Sequence, residues 1–190
     1  TKLSESFYLP LQMLEVALRN RIHRVMTDAH SEDWFLQDSV LVVKHQHQQI
    51  QAAQAELRRE KKEMTPGRMV AALPFSFWTS MFSRSYETLW QQNLHRIGRT
   101  PDGKGLRRKD FAEPLKALRT LRNRIAHHEP ILPWNLPKHH ENTVRLTEWL
   151  SPAAATWCKE HSRFYFVYPD EPLVLGAPAQ KPKGDDGTQS

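Results

Sequence analysis

Residues able to hold a phosphate and residues able to move a proton meet in one short stretch, "LRTLRNRIAHHEPI" at 118–131, which contains Arg122, Asn123, His127 and His128. A guanidinium is planar, permanently charged and presents a rigid fork of N–H donors that matches two phosphate oxygens at once. An imidazole gives or takes a proton near neutral pH. An arginine gripping a phosphodiester beside such a histidine is sufficient to cleave RNA without a metal. The 2′-hydroxyl attacks its own phosphate, and the protein supplies acid–base help and charge stabilisation.

The arginine stands where a helical pattern calls for an apolar residue. At about 100° per residue, Phe111, Leu115, Leu118, Leu121 and Ile125 cover one side of a helix, and Arg122 falls inside that arc. An isolated guanidinium is prohibitively costly to bury, so Arg122 is expected to pair with an acid, lie at an interface or line a solvent-filled cleft. Glu15, inside the apolar stripe of another helix, is the candidate partner. Asn123 and His127 are four apart and share a face. Arg122 and His127 are five apart, about 140° around a regular helix, and diverge. The arginine's reach, a frayed last turn, or a symmetric dimer that joins two helix ends would bring them together.

Charge points to the same segment. The chain carries a net charge of +6, and between Lys104 and Arg124 eight basic residues face two acids, a surplus equal to the whole of it. Arg107, Arg108, Lys109, Lys116, Arg119 and Arg124 are the candidate track for an RNA backbone, against the plainer reading of a solvated helix face.

The elements that position these residues read as helices. "LPLQMLEVALRNRIHRVMTDAH" has apolar residues at Leu11, Leu14, Leu18, Ile22, Val25 and Ala29, with Pro10 in its first turn. "VLVVKHQHQQIQAAQAELRREKKE" reads as a long charged helix with solvated His45 and His47, and Thr65 with Pro66 as a cap and first turn. "PFSFWTSMF" and "SYETLWQQNLHRI" read as two short helices whose aromatic residues supply much of the core. After the turn-rich "GRTPDGKG", the motif helix is expected to be capped by Asp110, to hold Pro114 in its first turn, and to end within a residue or two of His128, ahead of Pro130. "KHHENTVRLTEWL" and "SPAAATWCKEHSRF" follow as helices, the second opened by Ser151 and Pro152. "FYFVY" is a possible extended piece, and from Tyr168 onward Pro, Gly, Lys and Asp predict a disordered tail. The expectation is an all-α bundle of about six or seven helices in a single domain over 1–167, with a tail over 168–190. No apolar run approaches a membrane span and no signal pattern is read, so the chain is expected to be soluble and cytoplasmic. The single cysteine, Cys158, reads as a half-buried inert thiol. "LRNRIH" at 18–23 echoes "LRNRIAH" at 121–127, a match read as coincidence.

"RNRIAH", or "RNRIAHH" one residue further, resembles the R-x4-6-H motif of the HEPN superfamily. With "LEVALRNRIHRVM", "DWF", "FSFWTSMFSRSYETLW" and "LRTLRNRIAHHEPI", the text over about residues 8 to 132 resembles the Abi-like, or abortive infection, branch. The resemblance implies a HEPN-like helical fold, a homodimer through the motif helices, and a metal-independent endoribonuclease acting as a toxin or in phage defence. Arg122 would bind and orient the phosphate, Asn123 would be the polar helper, and His127 or His128 would transfer the proton. The four-residue gap commonest in such nucleases favours His127. The resemblance also implies further sequence before Thr1, a cognate antitoxin, protein or RNA, and no cofactor.

Two rivals use the same residues. A zinc site is one, since His127, His128, His139 and His140 lie in a short span with Glu129 and Glu141, although adjacent histidines seldom reach one metal and the spacing matches no known site. The other is a non-catalytic HEPN module that binds RNA or a protein partner.

Overall fold

The computed structural model describes residues 1–169, which form ten α-helical segments and no strand. These are α1 (Lys2–Ser6), α2 (Tyr8–Ala29), α3 (Lys44–Arg59), α4 (Pro66–Ala72), α5 (Phe75–Ser80), α6 (Glu87–Ile97), α7 (Arg108–Ala126), α8 (Leu136–Leu150), α9 (Pro152–His161) and α10 (Phe164–Val167). Six of them are ten residues or longer, as an all-α bundle requires. The expected tail lies outside the described residues from position 170; Tyr168 does not belong to it, since its ring stacks on Phe164 at 5.2 Å between centroids. Among the described residues no helix is long and apolar enough to cross a membrane.

Several boundaries differ from expectation for local reasons. The run Val40–Val43 is not helical, because β-branched side chains are poor helix formers and Val40 and Leu41 are drawn into the core as a loop. His47 is not simply solvated: its ring bonds the Leu41 carbonyl at 2.8 Å and lies 3.6 Å from Asp38. "FYFVY" is helical, as α10, with Phe164 fully buried. Thr65 and Ser151 cap α4 and α9 as expected, each hydroxyl accepting a backbone N–H.

The motif helix also starts earlier than read. Arg107 is the N-cap of α7, and Asp110, at the third helical position, accepts the Arg107 N–H at 2.8 Å. Pro114 therefore sits inside the helix, beyond the first turn, and leaves the Asp110 carbonyl without its usual donor. Packing outweighs that loss. Phe111, Leu115, Leu118, Leu121 and Ile125 are at most 2% exposed, each contributing about 1.5–3 kcal/mol on burial. Phe82 stacks on Trp90 and on Phe111, both at 4.9 Å, joining α6 and the segment after α5 to α7.

Helices α2 and α7 both pack on α5, α6 and α8. Held by the same three supports, they flank a groove lined from both sides.

Candidate active site

Arg122 lies at the rim of the α7 stripe. Its neighbours Leu118 and Leu121 are fully buried, whereas its own side chain is 44% exposed. The guanidinium reaches into the groove between α2 and α7, a space of about 450 Å³ lined by Tyr8, Leu11, Glu15 and Ile125 among others. Of the three options for a stripe arginine, two hold together: it lines a cleft and faces an acid. Nη2 lies 3.9 Å from Glu15 Oε2, the separation of an ion pair rather than a hydrogen bond. Burial pushes the Glu15 carboxyl above its ordinary range, opposed by Arg122 and Arg19. The site therefore contains a guanidinium that faces an acid at ion-pair distance without a close hydrogen bond to it.

Asn123 and His127 are exposed on the next face of α7. His127 is the C-cap, its N–H donating to the Asn123 carbonyl at 2.9 Å, and it does not line the Arg122 groove. His128 takes a different course. Its φ is +57°, the left-handed region that most side chains avoid. Its N–H donates to Ile125 O at 3.1 Å and the Glu129 N–H to Arg124 O at 2.8 Å, the paired bonds of a Schellman turn, in which glycine usually holds the position His128 takes. The turn brings His128 to a second groove of about 360 Å³, which Tyr8, Ser4 and Leu132 also line. Tyr8, 52% exposed, borders both spaces, so the groove that holds Arg122 and the groove that holds His128 share one tyrosine in their lining.

The expected RNA track divides. Arg108 is a correction: it is 9% exposed, with Nε on the Glu87 carboxylate and Nη1 on the Phe82 carbonyl, so it ties α7 to α6 instead of facing solvent. Arg124 is another. Its Nε and Nη2 donate to Pro130 O at 3.1 and 2.9 Å, Nη1 is 3.2 Å from Glu129, and the guanidinium lies over the Trp134 ring, so it clasps the corner after α7. Arg107 is exposed but paired with Asp110 at 3.1 Å. Lys109 and Lys116 are exposed and Arg119 half-buried on the outward face that also carries Asn123.

The histidines proposed for zinc separate. His140 is buried, stacked on Phe164 at 4.5 Å with Nε2 at 2.9 Å from Ser162 Oγ, and His139 lies against Trp134. Among the described residues no three His, Cys, Asp or Glu side chains are grouped to hold a metal. In the α2 echo, His23 accepts the Trp34 indole N–H at 3.0 Å, a structural task unlike that of His127. Cys158 is fully buried, its thiol pushed up by burial, which fits an inert side chain.

Sequence reasoning missed Tyr8 and the left-handed turn at His128. Tyr8 precedes the apolar stripe of α2 and breaks no pattern, and nothing in "AHHEP" distinguishes a histidine in the left-handed region from one at the helix end. Comparison with family models, curated proteins and solved structures finds no match to this chain.

Proposed function

We propose that this protein is a metal-independent endoribonuclease of the HEPN type, acting as a toxin or abortive-infection effector and restrained by a cognate inhibitor. The observation that carries this reading is Arg122: a guanidinium on a core-facing helix, open to a groove, with Asn123, His127 and His128 within two turns of it. In the proposed reaction Arg122 holds a non-bridging phosphate oxygen and orients the scissile bond. The 2′-oxygen attacks phosphorus, the P–O2′ bond forms and the P–O5′ bond breaks. A histidine at the corner moves the proton from the 2′-hydroxyl or to the departing 5′-oxygen. Asn123 donates to a phosphate oxygen, and Lys109, Lys116 and Arg119 follow the backbone.

The C-terminal end of the outward face of α7, with Thr120, Asn123 and His127 exposed, is the proposed homodimer contact, through which two corners combine into one composite site. A second reading, a non-catalytic RNA-binding module, draws on the Glu15–Arg122 pair, which occupies the arginine before any RNA arrives.

The test is incubation of the purified protein with labelled structured RNA in EDTA, beside Arg122→Ala, His127→Ala and His128→Ala. Cleavage to 2′,3′-cyclic phosphate ends, lost in the arginine variant and in one histidine variant, is expected. Intact RNA with a salt-sensitive gel shift favours the binding module.

A further inference from the structure

Tyr8 is the first residue of α2, set between Phe7, fully buried, and the start of the buried stripe at Leu11, so its backbone is fixed while its ring stays open. It lines both the Arg122 groove and the His128 groove. Each space falls within the range of about 300–1,000 Å³ usual for ligand sites.

The balance of charge and apolar surface narrows what fits. In the first groove Arg122 faces Glu15, and the rest of the lining includes Tyr8, Leu11, Ile125 and Ala126. In the second, Glu129 is matched by Arg124, leaving His128 and Glu5 beside Tyr8 and the exposed Leu132. A bare polyanion finds little net attraction in such a lining. A ligand that brings one phosphate together with a flat apolar face satisfies both halves, and a nucleotide of a single strand has that form.

We infer that Tyr8 is the seat of a nucleobase of single-stranded RNA, stacked on the phenol ring between the phosphate held by Arg122 and the ribose edge turned toward His128. The inference rests on the ribonuclease reading and extends it in two ways. It adds a base-contacting residue without hydrogen-bond readout, so a broad base preference follows. It also makes His128, rather than the His127 favoured by spacing, the histidine that shares the substrate with Arg122, which gives the left-handed turn at that residue a purpose.

The experiment is fluorescence anisotropy at low salt with a short single-stranded RNA made uncleavable by 2′-O-methylation, and with the same oligomer carrying an abasic residue at each position in turn. Wild type, Tyr8→Phe, Tyr8→Ala and Arg122→Ala are compared, with thermal melts confirming that each is folded. Tyr8→Phe is expected to bind within about two-fold of wild type and Tyr8→Ala about ten-fold more weakly. One abasic position is expected to weaken wild type to the level of Tyr8→Ala and to leave Tyr8→Ala unchanged. If Tyr8→Ala binds like wild type while Arg122→Ala does not, the base seat is wrong and the RNA reading stands. If wild type neither binds nor cleaves RNA, the RNA reading falls and the base seat with it. A change of oligomeric mass on Tyr8→Ala, with loss of binding that ignores the abasic position, overturns the proposal in favour of a second copy covering the ring.

Discussion

His140 gives the fold a measurable sensitivity to acid. It is 5% exposed, stacked on Phe164 and edge-on to Phe7, and burial pushes its imidazole down to about 4 from 6.5. The folded protein thus prefers the neutral ring, while the unfolded chain binds a proton as soon as pH drops below about 6.5. The stabilisation is whole well above that value, declines as pH falls through 6.5 toward 4, and levels off below about 4, once the folded protein binds the proton too. Integrating the difference in bound protons gives a loss of about 2 kcal/mol by pH 5 and about 3 kcal/mol by pH 4. Urea unfolding of wild type and His140→Gln at pH 7.5, 6.5, 5.5 and 5.0 isolates this contribution from the carboxylates, which titrate in both proteins. The stability gap between them is expected to narrow by about 2 kcal/mol across the series. A gap that stays constant with pH, or an NMR titration of His140 in the folded protein with a midpoint near the ordinary value, refutes the reasoning.

Other substitutions test particular contacts. A Cβ at Gly98 would stand 2.4 Å from the Trp149 carbonyl oxygen, so Gly98→Ala is expected to lower stability by about 2 kcal/mol in thermal or urea unfolding, whereas Gly67→Ala, with no atom within 4 Å, should not lose stability. His128→Gly removes a side chain from the left-handed region and should stabilise the fold by about 1 kcal/mol in urea while abolishing RNA cleavage, a separation of stability from activity that His127→Gly does not reproduce. Arg108→Ala strands the Phe82 carbonyl and the partly exposed Glu87 and should cost about 2 kcal/mol of stability without altering the salt dependence of RNA binding. Lys116→Ala should do the reverse, lowering the slope of log affinity against log salt by about 1 at unchanged stability.

The fold was legible where periodicity was strong. The stripes of α2 and α7, the caps at Thr65 and Ser151 and the aromatic core after Pro74 all follow from spacing and cap chemistry. The site was legible as a set of residues and not as an arrangement. Arg122 and Glu15 were identifiable because each interrupts an apolar stripe, and they do face one another. Arg108 and Arg124 were misjudged because charge says nothing of partners: Glu87 and the Pro130 carbonyl, which engage them, lie on other elements or beyond a turn. Tyr8 left no mark because an exposed aromatic at a helix start is ordinary until a second helix is laid beside it.

The shared supports of α2 and α7 bear on how the groove can change. Each helix takes its position from α5, α6 and α8, so neither needs the other's side chains to stay where it is. Groove-lining positions such as Gln12 and Ala126 are therefore open to substitution at little expense to stability, while replacements deep in α8, away from the groove lining, would move both walls at once. On the ribonuclease reading proposed above, a lineage under pressure to recognise a different transcript would have a groove it can redraw without rebuilding the frame that carries it.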